Sequence, residues 1–331
     1  MRTIRQEYKH QTEHDKTDSV CMVIPTYNEA SNIKELLALI YDTEKSAQYE
    51  KENIIMNVLF VDDNSPDGTS DVVKRYQKEN PHIYLLQRSE KNGLGAAYVA
   101  GMEHAMQLLH PDIIFEMDAD LSHDPMYIMP MIDEIRSGAD FVIGSRYVTG
   151  GAIPENWGVK RKMTSKLANV YAKTLLRIKN VNDCTGGFRA IRTSALAQID
   201  LHKLNTKGYA FQISLLEQMR KNNFLITEVP IHFKDRVNGE SKMRIADIAG
   251  VGYFVLITSL MNIFMPSKQQ VEKRERPLDI APSVNQRRYN PHQRDITDDW
   301  LRSDRNSVID VTDNRMESFT SKNENEVAIN T

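Results

Sequence analysis

The chain has 331 residues, with 42 Lys and Arg against 45 Asp and Glu and a formal net charge of −3, a balance that leaves no basic footprint for nucleic acid. Its 40% hydrophobic content is that of a globular protein, long enough for one large core or two modest ones. Cys21 and Cys184 lie far apart and in no metal-ligand spacing, which points to a reduced, cytosolic-side environment.

Residues 1–19 are polar and of mixed charge with no apolar stretch, so a disordered arm and no secretory signal peptide are expected there. From 20 to 150, short β-like runs alternate with helix-like stretches. Strands are predicted at 20–24, 54–61, 83–87, 113–117 and 141–143, and helices at 32–40, 69–77, 96–109 and 126–136. This alternation predicts an α/β fold, a mostly parallel sheet flanked by helices. The continuous apolar run Val58-Leu59-Phe60-Val61 fits a strand buried on both faces. In such sheets ligands gather at the carboxyl ends of the strands. Three motifs fall there: Pro25-Thr26-Tyr27-Asn28-Glu29, Asp62-Asp63-Asn64-Ser65-Pro66-Asp67-Gly68 and Asp118-Ala119-Asp120.

Each motif has a structural reading beside the functional one. Asp62-Asp63 either offers a carboxylate to a base or ribose, with Tyr27 as a stacking face, or builds the turn through Gly68. Gly93-Leu94-Gly95 begins like a dinucleotide fingerprint but lacks the third glycine, so it is read as a turn opening a helix. Asp118 and Asp120 stand at i and i+2 of an extended segment, where side chains point the same way. Two such carboxylates repel each other unless a cation lies between them. A hard cation held by few protein oxygens keeps positions open for a diphosphate. Asp124 and Pro125 suit a helix N-cap and first helical position; this capping role uses different residues and is compatible with the metal site.

Further along, helices are predicted at 160–176 and 211–221 and a strand at 228–233. On the first of these helices Arg161 and Ser165 share a face that suits a phosphate. Met163, Leu167, Val170 and Thr174 read as its core stripe. Other cations of this half, among them Arg146, Arg189 and Arg192, read singly as solvated surface charges. Arg236 and Lys242 bracket a loop containing Gly239 that either closes over phosphates or merely carries surface charge. Residues 248–265 hold no charged side chain; eighteen helical residues span about 27 Å, slightly short of a hydrocarbon core. A helix in the membrane interface is the first reading, with a single span and a buried helix as alternatives. Residues 266–331 are polar and expected to be disordered, with Trp300-Leu301 either a short docking element or an isolated apolar pair.

In order along the chain stand Pro25-Thr26-Tyr27-Asn28-Glu29, Val61-Asp62-Asp63-Asn64-Ser65-Pro66-Asp67-Gly68-Thr69, Asp118-Ala119-Asp120-Leu121-Ser122-His123 and Gly144-Ser145-Arg146-Tyr147. They are followed by Trp157, Arg161, Ser165, Ala168-Asn169, Asp235-Arg236 and Gly239-Glu240-Ser241-Lys242. Over about 20 to 245 this set resembles the dolichol-phosphate (polyprenol-phosphate) mannosyltransferases of the inverting GT-A glycosyltransferase family 2. The resemblance implies a GT-A domain over 20–243, a membrane-associated helix over 244–265, GDP-mannose as donor and a polyprenyl (dolichyl) phosphate as acceptor. It also implies Mg²⁺ or Mn²⁺, a membrane surface and small membrane-anchoring subunits as partners. The place would be the cytosolic face of the endoplasmic reticulum in a eukaryote, or of the inner membrane in a prokaryote. Carried over by position, Pro25, Tyr27, Glu29, Val61 and Asp63 would hold the nucleoside. Asp118, Ala119 and Asp120 would meet ribose, diphosphate and metal. Ser122, where some relatives carry a Gln ligand, would join Asp118 and Asp120 in a metal shell completed by water. Arg146, Arg236 and Lys242 would contact donor phosphates or acceptor, and Arg161 and Ser165 the acceptor phosphate. The sequence departs from the pattern at Ser214, where Glu is expected, and at Leu167, where Gly is common.

A phosphate monoester with a second pKa of about 6 is already an anion near neutrality, so no general base is assigned. The site must supply alignment and charge stabilisation. Transfer from UDP-glucose or another UDP-sugar is the alternative within this chemistry, and a non-catalytic nucleotide-binding membrane scaffold the alternative outside it.

Overall fold

The computed structural model describes residues 17–45, 52–204, 210–235 and 245–264. Seven strands form one sheet: β1 (Asp18–Thr26), β2 (Ile54–Asp62), β3 (Ile83–Gln87), β4 (Ile113–Glu116), β5 (Phe141–Ser145), β6 (Arg189–Arg192) and β7 (Ile226–Pro230). Their order is β3-β2-β1-β4-β6-β5-β7. β1 pairs in parallel with β2 and β4, β2 with β3, and β5 with β7, while β6 runs antiparallel to β4 and β5. The helices are α1 (Ala30–Lys45), α2 (Thr69–Glu79), α3 (Leu94–His104), α4 (Ile128–Arg136), α5 (Val159–Leu176), α6 (Ala210–Lys221) and α7 (Ile245–Phe264). Every predicted strand and helix is present. β6 is an addition, too short and too rich in arginine to stand out in the sequence.

Along β1, Val20, Met22 and Ile24 serve one core while Cys21 and Val23 serve the other, the two-residue period of a strand. The first core takes in Ile33 and Leu36 of α1 and Ile132 and Ile135 of α4; the second takes in Tyr98 and Met102 of α3 and Phe211 and Leu215 of α6. Burial on both faces is why the central strands read as unbroken apolar runs. α3 lies close on the sheet because residue 101 has no side chain: a Cβ there would stand 2.4 Å from Val23 Cγ1 and 2.7 Å from Val61 Cγ2. Gly93, with φ 92°, makes the turn into α3, as its sequence context predicts. Both cysteines are free and buried.

The chain builds from β1 through β2 to β3, then crosses back to lay β4 on the other side of β1. The carboxyl ends of β1 and β4 therefore flank the point where strand order reverses, where open α/β sheets hold their ligands.

Two expectations are overturned. Met163, Leu167 and Val170 of α5 are not core: they are 58%, 61% and 52% exposed, and Thr174 is exposed as well. The buried residues of α5 are Asn169, Ala172 and Leu176. Helical spacing reveals a stripe but not the side to which it turns. α7 packs beside α5, with the Tyr171 hydroxyl donating to the Gly252 carbonyl at 3.0 Å and the Ser259 hydroxyl to the Leu175 carbonyl at 2.8 Å. Among the described residues, no helix is long and apolar enough to cross a membrane. The second correction concerns cations read as surface charges: Arg146 is nearly buried, and Arg189 is fully buried. Main-chain carbonyls of Gly186 (2.8 Å), Gln212 (2.8 Å) and Cys184 (3.2 Å) receive its guanidinium, and Glu116 lies 4.0 Å away. The expectations for Arg236, Lys242, their loop, residues 1–16 and the tail from 266 fall outside the described residues.

Candidate active site

Three of the loops that leave the carboxyl edge of the sheet contain a non-glycine residue in the left-handed region: Asn28 (φ 59°) after β1, Asn64 (φ 58°) after β2 and Leu121 (φ 64°) after β4. Asparagine tolerates that conformation; for leucine it costs about 1–2 kcal/mol. The surrounding hydrogen bonds hold these turns in place.

The loops after β1 and β2 are stitched together. Asn28 N donates to Ser65 Oγ (3.0 Å), Glu29 N to Thr69 Oγ1 (3.1 Å) and Ala30 N to Asp67 Oδ2 (3.0 Å). Asp67 also accepts from Thr69 N and Oγ1, so one carboxylate caps the starts of α1 and α2. Although burial pushes its carboxyl upward, these donors hold it below the usual carboxylate range. The paired acids of β2 divide the two roles open to them. Asp62 accepts from Thr26, Ser65 and Ser70 and is given over to the turn. Asp63 Oδ1 accepts from Arg88 Nη1 at 2.8 Å, and its second oxygen has no hydrogen-bond partner among the described residues. Burial raises the Asp63 carboxyl while the charge of Arg88 opposes the rise. Tyr27, from the end of β1, carries the Lys91 ammonium 3.6 Å above its ring centroid. Asp63 and Tyr27 thus stand at the adjoining ends of β1 and β2. Val61 does not present its side chain there, since that side chain packs in the α3 core. Glu29 receives the Asn32 side-chain amide at 2.8 Å, and Pro25 stands in register with Val61 on β2.

The loop after β4 holds the carboxylate pair. Tyr98 from α3 donates its hydroxyl to Asp118 Oδ1 at 3.1 Å. Burial, reinforced by the charges of Asp118 and Glu116, pushes the Tyr98 phenol well above its ordinary value, so it remains a donor. Asp120 Oδ1 accepts from Ser122 N (3.1 Å) and Ser122 Oγ (2.5 Å). In this arrangement Ser122 works through Asp120. Ala119 is buried between the two acids, and Asp124 caps the following 3₁₀ turn by accepting Met126 N at 3.0 Å. Gly187 faces this loop: a Cβ there would lie 3.9 Å from Asp118 Oδ2 and 3.5 Å from His123 Cε1. Its absence leaves a cradle against the Asp118 carboxylate. Among the described residues, no three His, Cys, Asp or Glu side chains form a complete protein cage for a metal. Two carboxylates beside a cradle fit a hard cation that takes its remaining oxygens from a diphosphate and water.

The cations come out unequally. Arg146, just after β5, is nearly buried in a bidentate pair with Asp183: Nε to Oδ2 and Nη2 to Oδ1, both 2.7 Å. Thr185 Oγ1 takes a further Nη2 bond at 3.0 Å. Burial would raise the Asp183 carboxyl, but the Arg146 charge and hydrogen bonds hold it below the carboxylate range. Arg161 is exposed, lies 3.8 Å over the Trp157 ring and reaches Asp235 Oδ1 at 3.3 Å. Ser165, one turn on, accepts from the Tyr147 hydroxyl at 2.7 Å. Tyr98, Arg88, Lys91 and Asp183 carry no functional signal in the sequence; Tyr98 lies only within the helix predicted at 96–109.

The family model for glycosyl transferase family 2 matches residues 21–200. The polyprenol monophosphomannose synthase of Mycolicibacterium smegmatis is 38% identical over 228 residues, covering 69% of this chain and 82% of that protein. The undecaprenyl-phosphate mannosyltransferase of Micrococcus luteus is 39% identical over 224 residues, covering 68% and 87%. Among solved structures, glucosyl-3-phosphoglycerate synthase from Mycobacterium tuberculosis shares the fold at a TM-score of 0.52 and 15% identity, over 74% of this chain and 79% of that one.

Proposed function

The chain belongs to glycosyltransferase family 2 and has its GT-A fold, and from that premise we propose that it transfers mannose from GDP-mannose to a polyprenyl phosphate with inversion at the anomeric carbon. The observation that carries the reading is the Asp118–Asp120 pair at the reversal point of the sheet, in a chain 38% and 39% identical to two enzymes named for polyprenyl-phosphate mannose synthesis.

In this reading Asp63 and Tyr27 hold the guanosine, and Asp118 and Asp120 hold a divalent cation, Mg²⁺ or Mn²⁺, beside the diphosphate. When bound, that cation neutralises charge on the departing diphosphate. Tyr98 and Ser122 keep the carboxylates aimed. Arg161 and Ser165 receive the acceptor phosphate, with Arg236 and Lys242 on the phosphates of either substrate, and Arg146 supports the site from its pair with Asp183. The acceptor oxygen attacks without a protein base, because the phosphate monoester is anionic already. Direct displacement breaks the bond to the diphosphate and inverts the sugar carbon.

The place of reaction is a membrane surface, since the acceptor is a lipid, and its cytosolic face, in keeping with the two unpaired cysteines. The outward apolar residues Val159, Met163, Leu167 and Val170 of α5 and Tyr253, Leu256, Leu260 and Met261 of α7 support that reading. Lys160, Arg161, Lys162 and Lys166 share α5 with them, as on interfacial helices. Small membrane-anchoring subunits fit the same surface.

The test is incubation with sugar-labelled GDP-mannose, a divalent cation and a polyprenyl phosphate, followed by organic extraction, with UDP-glucose as the competing donor. Label entering the organic phase from GDP-mannose supports the proposal. Transfer from the UDP-sugar instead would replace the donor, and GDP binding without any transfer would leave a non-catalytic scaffold.

A further inference from the structure

His123 closes the six-residue loop that begins at Asp118. Its Nδ1 accepts the Asp118 backbone N–H at 3.0 Å, which requires the imidazole to carry its proton on Nε2. The ring is buried in an aromatic slot, stacked on Phe188 at 5.1 Å and 11° and meeting Phe233 edge-on at 5.6 Å. Phe188 and Phe233 come from segments far along the chain, so the slot fixes the ring independently of the loop it closes. Packing alone would be met by leucine or phenylalanine. What those residues lack is an acceptor for the Asp118 amide.

Without that acceptor the Asp118 peptide must rotate to find another partner, and its Cα–Cβ direction rotates with it. Tyr98 holds one carboxylate oxygen, His123 holds the peptide, and Gly187 leaves the gap beside the other oxygen. We propose that His123 is the positioning residue that sets the Asp118 carboxylate to share a cation with the nucleotide diphosphate. The inference rests on the metal-and-diphosphate reading given above and adds to it a residue to which that reading gives no part.

The test compares His123→Leu with His123→Asn in the full chain. Asn Oδ1 sits one bond from Cγ, where Nδ1 sits in histidine, and so can still accept the Asp118 amide. Titration calorimetry with GDP is run in Mn²⁺ and again in excess EDTA, beside steady-state kinetics and melting. His123→Leu is expected to weaken Mn²⁺-dependent GDP binding about 10- to 100-fold, as loss of a ligand's supporting partner does. GDP binding in EDTA stays at the wild-type level. Turnover falls with the metal affinity while KM for the polyprenyl phosphate holds, and His123→Asn recovers most of the loss. Gly187→Ala, whose Cβ would make contacts of 3.5 Å and longer, fills the gap at Asp118 and weakens the same Mn²⁺-dependent binding with an unchanged melting temperature. If His123→Leu fails to fold, His123→Phe, which fills the same aromatic slot without an acceptor, decides the matter.

Wild-type Mn²⁺-dependent binding in His123→Leu or His123→Phe, or equal losses in Leu and Asn, would overturn the role of His123 alone, whereas wild-type binding in Gly187→Ala would overturn only the gap beside Asp118. A wild-type protein whose GDP binding ignores Mn²⁺ would overturn the metal reading and this inference with it.

Discussion

Replacing Arg146 with methionine separates a buried structural role from direct contact with substrate. Asp183 is fully buried and its charge is met chiefly by the two 2.7 Å bonds from this guanidinium. Truncating one partner of such a pair strands the other and costs about 3–5 kcal/mol. Arg146 N still donates to Asp183 Oδ2 at 3.1 Å, which keeps the loss toward the lower end. At roughly 2–4 °C per kcal/mol for a domain of this size, the melting temperature should fall by about 6–15 °C. The pH dependence has a definite sign. In the wild type the Asp183 carboxyl is depressed, so its stabilisation is present above the ordinary carboxylate pKa and is lost as pH falls through the folded value. In Arg146→Met burial is opposed only by the remaining hydrogen bonds from Arg146 N and Thr185 and the carboxyl rises, so the variant gains stability relative to the wild type as pH falls toward about 4.5. Urea and thermal unfolding at neutral pH and at about pH 4.5 measure both effects. Lost transfer activity with unchanged stability at neutral pH would refute the buried role and leave Arg146 as a phosphate ligand.

Three other predictions follow from the same geometry. Asp120→Ala should abolish cation-dependent transfer while the melting curve stays close to wild type; full activity in that variant under excess chelator would remove the carboxylate pair from the mechanism. Leu167→Glu should leave stability within about 0.5 kcal/mol because the side chain is exposed. It should also reduce sedimentation with anionic vesicles, and unchanged vesicle binding would exclude this face of α5 from the membrane contact. Burial pushes the Glu116 carboxyl up to about 7 against the opposing charge of Arg189. A group so raised favours folding below its ordinary value of 4.5, and that contribution is lost as pH rises through about 7. Glu116→Gln should therefore show a shallower fall in stability across that window than the wild type, and identical slopes would mean that Glu116 does not titrate there.

Much of the sheet was legible because its central strands are buried on both faces and so read as unbroken apolar runs ending in acidic or turn-forming motifs. Those motifs put Tyr27, Asp63, Asp118 and Asp120 at one edge of the sheet from the sequence alone. What the sequence could not express was pairing across distance. Asp183 stands 37 positions from Arg146, and nothing local shows that the two form a buried ion pair. Asp62 and Asp63 are neighbours of identical chemistry, and only the fold shows that the first is occupied by the turn while the second faces Arg88. The stripe on α5 was visible as a period, but a period does not show that it turns outward. His123 read as one letter of a motif, since nothing local shows that Phe188 and Phe233 enclose it.

The most direct test is the position of a manganese ion in crystals grown with GDP and Mn²⁺, located by its anomalous scattering. The expected result is a peak between the carboxylates of Asp118 and Asp120, with diphosphate oxygens on its open side and the base beside Tyr27 and Asp63. A peak elsewhere on the molecule, or a guanosine bound away from the ends of β1 and β2, would contradict it.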